Sequence, residues 1–165
     1  MSANGADVSN AVKDTIYRAC LALDDQKWDE WLALCEDSFE YAITAFSPEI
    51  RQDMTYLSGS FKEMQSLVHM LPKHNTDHSP LKRHAVVYTV DVGADGKTAT
   101  AVSSVLIYQN MLDGIHSHLD AGENRLFAVG RYVDSFRIQN GKAKFVSREV
   151  RLETRRLDKG SHWPL

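Results

Sequence analysis

Residues 127–157, FAVGRYVDSFRIQNGKAKFVSREVRLETRRL, constrain this chain more than any other stretch, because their local code reads as one long β-hairpin. Asn140 and Gly141 tolerate the positive φ of a two-residue type I′ turn, and apolar residues alternate on both sides of them. A turn there predicts the register. Gln139 faces Lys142, Phe136 faces Phe145, Asp134 faces Ser147, Tyr132 faces Glu149 and Gly130 faces Arg151. One side then carries Ile138, Phe136, Ala143 and Phe145, followed by Tyr132, Asp134, Ser147, Glu149 and Arg151. The other carries Val129, Arg131, Val133, Ser135 and Arg137 against Lys144, Val146, Arg148, Val150 and Leu152. That second side is too apolar for water and too charged for a core. The expectation is a sheet with one face on the chain's own helices and the other on foreign protein.

A chain of 165 residues is long enough to bury a core without disulfides or metals, and a single domain, 1–165 with 1–7 frayed, is expected. Hydrophobic residues at 43% and charged residues at 25% describe an ordinary soluble protein and argue against long disorder. Cys20 and Cys35 both fall in helix-like segments and read as buried thiols of a reducing compartment. No apolar run reaches membrane-spanning length, and MSANGADVSN lacks the basic and hydrophobic parts of an export signal, so a cytoplasmic protein is expected. A net charge of −3 argues against nucleic-acid binding. The charge is uneven, with acidic residues concentrated in 24–40 and basic ones in 142–159, which suits contacts with unlike partners as well as two solvated faces.

Val8, Val12, Ile16, Ala19, Cys20 and Leu23 form a helical stripe. After Asp24 and Asp25, residues 27–36 repeat it with Trp28, Trp31, Leu32 and Cys35. Residues 38–45 alternate as a strand that leaves at Ser47-Pro48. Ser60 and Glu63 make a capping box for a third helix over 60–71, stopped by Pro72. Residues 84–92 and 98–109 are two strands joined through Asp95-Gly96, and a polar connection over 111–124 leads into the terminal hairpin. Helices gathered on one side of four long antiparallel strands predict an α+β domain. The layout resembles the cone-shaped, cystatin-like curved antiparallel sheet with three N-terminal helices found in nuclear transport factor, ketosteroid isomerase, scytalone dehydratase and the SnoaL-like cyclases.

Three stretches sharpen that resemblance. TIYRACLALDDQKWDEWLALCEDSFEYAI, with Trp31-Leu32, Glu36-Asp37 and Tyr41, is one; LKRHAVVYTVDV, with its Arg83-His84 step, is another. The third is Gly130 to Arg137 followed by Phe145 to Leu152. Together, over residues 12–157, they resemble the small (β) subunit of Rieske-type ring-hydroxylating dioxygenases. The loop at 72–80 and the ending LDKGSHWPL depart from the pattern, leaving the substrate class open between an aromatic compound, as in aromatic hydrocarbon catabolism, and a sulfonate. The resemblance implies a homotrimeric, non-catalytic base under a catalytic α subunit, in a mixed hexamer of three large and three small chains. It also implies that the Rieske iron-sulfur cluster and mononuclear iron lie in that partner, with no cofactor or metal in this chain. Neither Cys20 nor Cys35 has a histidine two or three residues away, as a Rieske motif demands.

Two chemical readings compete with the subunit role. His74, Asp77 and His78 could form an iron-binding facial triad, and His116, His118 and Asp120 a similar cluster; both sit in loops without rigid support and read as exposed histidines. Tyr41, His84, Tyr132, Asp134 and Glu149 could converge inside the cone as the acid and base of a free-standing isomerase or dehydratase, or line a small-molecule binding pocket. The favoured alternative pairs Tyr132 with Glu149 across strands and lets Asp134 and Arg151 meet other charges. Arg131, Val133, Arg137, Val146, Arg148, Val150, Arg155 and Arg156 are read as subunit interface, and Trp163 as docking on a neighbour.

Overall fold

The computed structural model describes residues 5–74, 78–112, 118–157 and 163–165. Three helices, α1 (Gly5–Asp24), α2 (Trp28–Ala33) and α3 (Phe61–His74), accompany six strands: β1 (Cys35–Ser47), β2 (Gln52–Ser60), β3 (Leu81–Val92), β4 (Thr98–Asn110), β5 (Asn124–Gln139) and β6 (Lys142–Leu152). The stripe of α1 is buried from Val8 to Leu23, so the helix forms by covering the sheet. It ends where Gln26 adopts φ 56° and the Lys27 amide donates to the Ala22 carbonyl at 2.8 Å, a left-handed cap that needs no glycine.

α2 is one turn and a half long and stops before Cys35, which opens β1 instead of closing a helix. The Ser60 amide donates to Glu63 Oε2 at 2.7 Å, as the capping box predicts. α3 runs on past Pro72 to His74, since a proline in the final turn removes only one amide donor. β2 is an element that alternation could not reveal. Its residues, QDMTYLSGS, form a largely exposed edge strand whose composition is that of a loop.

The sheet is open and curved, in the order β2-β1-β6-β5-β4-β3, and the cone-type α+β expectation holds. Every neighbouring pair is antiparallel except β1 and β6, which run parallel with Ile43 opposite Val150. The terminal hairpin turns at Asn140 (φ 51°) and Gly141 (φ 73°), and its first partners, Gln139 with Lys142 and Phe136 with Phe145, are those expected.

Beyond them the register slips by one. Ser135 faces Ser147, Asp134 faces Arg148, Tyr132 faces Val150 and Gly130 faces Leu152, because a bulge at Val146 inserts one extra residue in β6. With a side-chain period of two, that one residue exchanges the faces of everything after it. Arg148, Val150 and Leu152 turn inward, while Glu149 and Arg151 turn outward. Under α1 and α2, Trp31 meets Phe39 and Tyr41 edge-on at 6.1 and 6.0 Å, and Phe145 joins Phe39 to Phe136. These rings anchor the core.

Candidate functional site

Inside the curve of the sheet, Arg148 donates from Nε to Asp134 Oδ1 and from Nη2 to Asp134 Oδ2, both at 2.8 Å, with both side chains essentially inaccessible. The guanidinium lies over the Tyr132 ring at 3.9 Å and the Phe145 ring at 4.5 Å. Burial pushes the Asp134 carboxyl up and the Arg148 contact pulls it back. For Arg148, burial acts downward and Asp134 more than reverses it. The two-point geometry decides for an ion pair. Asp134 is therefore a structural carboxylate, already spent on its partner.

A second arginine lies nearby. Arg83, brought inward by its alternation with Leu81 on β3, donates from Nη1 to Asp24 Oδ1 at 2.8 Å and from Nη2 to the Pro164 carbonyl at 2.7 Å. The Tyr41 hydroxyl accepts from the Leu165 amide at 2.8 Å and donates to the Leu165 carbonyl at 3.2 Å. Burial pushes Tyr41 up to about 12 and raises Tyr132 further. Four buried polar atoms have no partner among the described residues: Arg83 Nε, Ser103 Oγ, the Tyr132 hydroxyl and Arg148 Nη1.

Of the five proposed pocket residues, Tyr41, Tyr132 and Asp134 share this interior; His84 and Glu149 do not. His84 is exposed on the outer face with its ring 5.3 Å from Tyr108, and Glu149 accepts from Thr44 Oγ1 at 2.8 Å on that same face. The reason is the bulge for Glu149 and simple alternation for His84. Tyr132 accordingly faces Val150, not Glu149, and Asp134 finds Arg148. Sequence reasoning missed Arg83 and Ser103 as interior groups and sent Trp163 to a neighbour. Arg83 was legible in the Leu81-Arg83 alternation, Ser103 carried no local signal, and the partner of Trp163 lies far away in the chain.

The interface residues divide as well. Arg131, Val133, Arg137 and Val146 stand on the outer face, but Arg148 and Val150 are interior and belong to this chain's own core. Arg155 pairs with Glu49, and the Tyr56 hydroxyl donates to the Arg155 carbonyl, so that arginine is engaged within the chain; Arg156 is exposed. Trp163 packs on Trp28 at 5.5 Å, a docking in cis rather than on a neighbour. The register aligns His84, Leu106 and Val129 in one outer row, and Val86, Ser104, Arg131 and Arg151 in the next. Val86, Tyr88, Leu106, Leu126 and Val133 expose large apolar surface there.

Both candidate metal clusters fall partly outside the described residues. Asp77 and His116 lie outside the described residues, His74 ends α3, and among the described residues no three His, Cys, Asp or Glu side chains cluster as metal ligands. The donors present do not fit a Rieske cluster. Cys20 and Cys35 are buried thiols on different elements, both raised by burial, Cys35 to about 12, and Cys35 Sγ bonds to the Trp31 carbonyl. Among the described residues no helix is long and apolar enough to cross a membrane.

Comparison with known proteins agrees with this architecture. Residues 6–149 match the SnoaL-like domain. The chain is 62% identical over 163 residues to the methanesulfonate monooxygenase hydroxylase subunit beta of Methylosulfonomonas methylovora, covering 99% of this chain and 90% of that one. It is 30% identical to the 2-aminobenzenesulfonate 2,3-dioxygenase subunit beta of an Alcaligenes species, over 94% and 97% of the two chains. Among solved structures, the β subunit of an aromatic-ring-hydroxylating dioxygenase from Novosphingobium aromaticivorans superposes with a TM-score of 0.73 at 24% identity, over 93% and 94%. The cone-type sheet and these likenesses converge: the chain belongs to the SnoaL-like oxygenase β subunits.

Proposed function

We propose that this chain is the structural, non-catalytic β subunit of a multicomponent Rieske-type oxygenase that oxidises a small sulfonate. The observation that carries the reading is the division of labour between the two faces of the sheet. Inside, the one buried carboxylate of β5 is locked to Arg148, so it is not free to act as a general base. Outside, valines, leucines and a tyrosine are interleaved with Arg131 and Arg137, a mixture suited to protein contact. The sulfonate assignment rests on the likeness to the two sulfonate-oxygenase β subunits.

In this reading the 165 residues act as a single cytoplasmic domain, three copies associate through the outer face, and each supports one α subunit. The α subunit supplies the Rieske cluster and mononuclear iron. The free-standing isomerase or dehydratase loses its acid-base pair, because Glu149 and His84 stand on the far side of the sheet from Tyr132 and Asp134.

Co-expression with the adjacent large-subunit reading frame tests the proposal. The expected product is a mixed assembly of three large and three small chains, with iron and sulfide in stoichiometric amounts and sulfonate-dependent oxygen consumption. A chain that stays monomeric at micromolar concentration and co-purifies with no iron-sulfur protein overturns it.

A further inference from the structure

The outer face of the sheet changes character between its two edges. Across β3, β4 and β5 it exposes Val86, Tyr88, Leu106 and Val133 around Arg131 and Arg137, and neither arginine forms an ion pair among the described residues. Asp91 is the only outward acid of these three strands.

Across β6, β1 and β2 the same face turns acidic. Glu40, exposed between buried Phe39 and Tyr41, forms no ion pair among the described residues. Asp53 and Glu149 each hold Arg151 through one oxygen, at 3.3 and 3.4 Å, which leaves Asp53 Oδ2 and Glu149 Oε2 to accept a further donor. Lys142 and Lys144 stand apart at the β5–β6 turn. Phe46, opposite Asp53, and Ile50 in the turn beyond it add exposed apolar surface. The spacing of the two halves agrees: Arg131 and Arg137 are six residues apart on β5, Glu40 and the Phe46–Asp53 step six apart on β1, and each row spans about 20 Å.

Three copies around a threefold axis cannot meet through one patch set against itself, since each copy must offer a different patch to either neighbour. Two β3–β5 halves brought together would set arginines against arginines, and like charges across an interface reject that pairing. The halves of this face are opposite in charge and both carry apolar side chains, which is what closing a ring requires.

We propose that the copies associate head to tail, the β3–β5 half of one outer face lying on the β6–β1–β2 half of the next, with Arg131 and Arg137 directed to Asp53, Glu149 and Glu40. Phe46 and Ile50 then cover part of the apolar surface around Tyr88. This docking deepens the three-copy subunit reading and rests on it.

The test reverses charge on the full chain, co-expressed with the large subunit and followed by light scattering and sedimentation. Arg131→Glu with Arg137→Glu, and separately Glu40→Lys with Asp53→Lys, are each expected to weaken association of the copies at least about a hundredfold, because like charges then face each other. All four changes in one chain restore opposite charges and are expected to bring association back to within about tenfold of the unaltered chain. Thermal melting identifies a reversed variant that does not fold; Arg131→Gln or Glu40→Gln then takes its place, with a weakening of about tenfold expected. Two-charge variants that assemble like the unaltered chain, or a folded four-charge variant that stays dispersed, overturn the head-to-tail docking while the unaltered assembly still upholds the subunit role. An unaltered chain that forms no three-copy assembly removes the subunit reading and the docking with it.

Discussion

Asp134 and Arg148 meet in a two-point ion pair only because β6 carries one residue more than β5 between Phe145 and Ser147. Without the bulge Arg148 would lie on the outer face. The pair is fully desolvated, so its geometry matters more than its count.

Asp134→Asn strands the guanidinium of Arg148 in the core, and a loss of roughly 3–5 kcal/mol is expected by urea unfolding. The double change Asp134→Leu with Arg148→Met is expected to recover most of it, since packing replaces two buried charges. Arg148→Met alone leaves a buried carboxyl with burial as its dominant influence, which raises it. A raised folded-state pKa favours folding below the unfolded value and costs stability as pH rises through the folded one, so this variant should be firmer at pH 4 than at pH 7.

At the alkaline end, Cys35 and Tyr41 both favour their neutral forms, each pushed up to about 12 by burial. Both groups are thiol or phenol in the folded chain well after they ionise in the unfolded one. Stability is therefore complete below about pH 9 and falls as pH rises from about 9 to 12. Chemical denaturation across that window should show the decline, and Cys35→Ala should make it shallower. Cys20 and Cys35 are expected to resist an aromatic disulfide reagent at pH 8 until the chain unfolds.

Gly130 occupies the end of the shifted register, where a methyl group would stand 2.4 Å from the Arg151 carbonyl oxygen and 2.9 Å from the Leu152 Cα. These are backbone atoms and cannot swing aside. Gly130→Ala should cost about 2–4 kcal/mol in the same unfolding assay, more than the change costs at an open strand position.

On the outer face, Tyr88→Asp and Val133→Asp alter exposed side chains of two strands. Their effect on the melting of the isolated chain should be small, within roughly 0.5 kcal/mol. Light scattering of the co-expressed complex is expected to report loss of the large assembly. An unchanged assembly would show that this face is not where the copies meet.

Much of the fold could be read directly from the residue pattern. The stripe from Val8 to Leu23, the Ser60–Glu63 box, Asp95-Gly96 and Asn140-Gly141 are local signals, since each states a backbone conformation within a few residues. β2 was hidden because an edge strand in water need not alternate. The face occupied by Arg148, Val150 and Glu149 was misread because a bulge has no residue-level signature at Val146; what selects it is the fit of an arginine to a carboxylate on the neighbouring strand.

The sequence by itself determined where the chain turns and, β2 and the end of α2 apart, which segments are helix or strand, because those choices are made by φ preferences and by side chains three, four or two positions apart. Only the tertiary structure decided which arginines are core, that β1 lies parallel to β6, and that Trp163 and Leu165 return to Trp28 and Tyr41 more than a hundred residues away. Those outcomes depend on burial shared among distant segments, where the cost of an unpaired charge or a wet tryptophan is settled only once the whole core has closed.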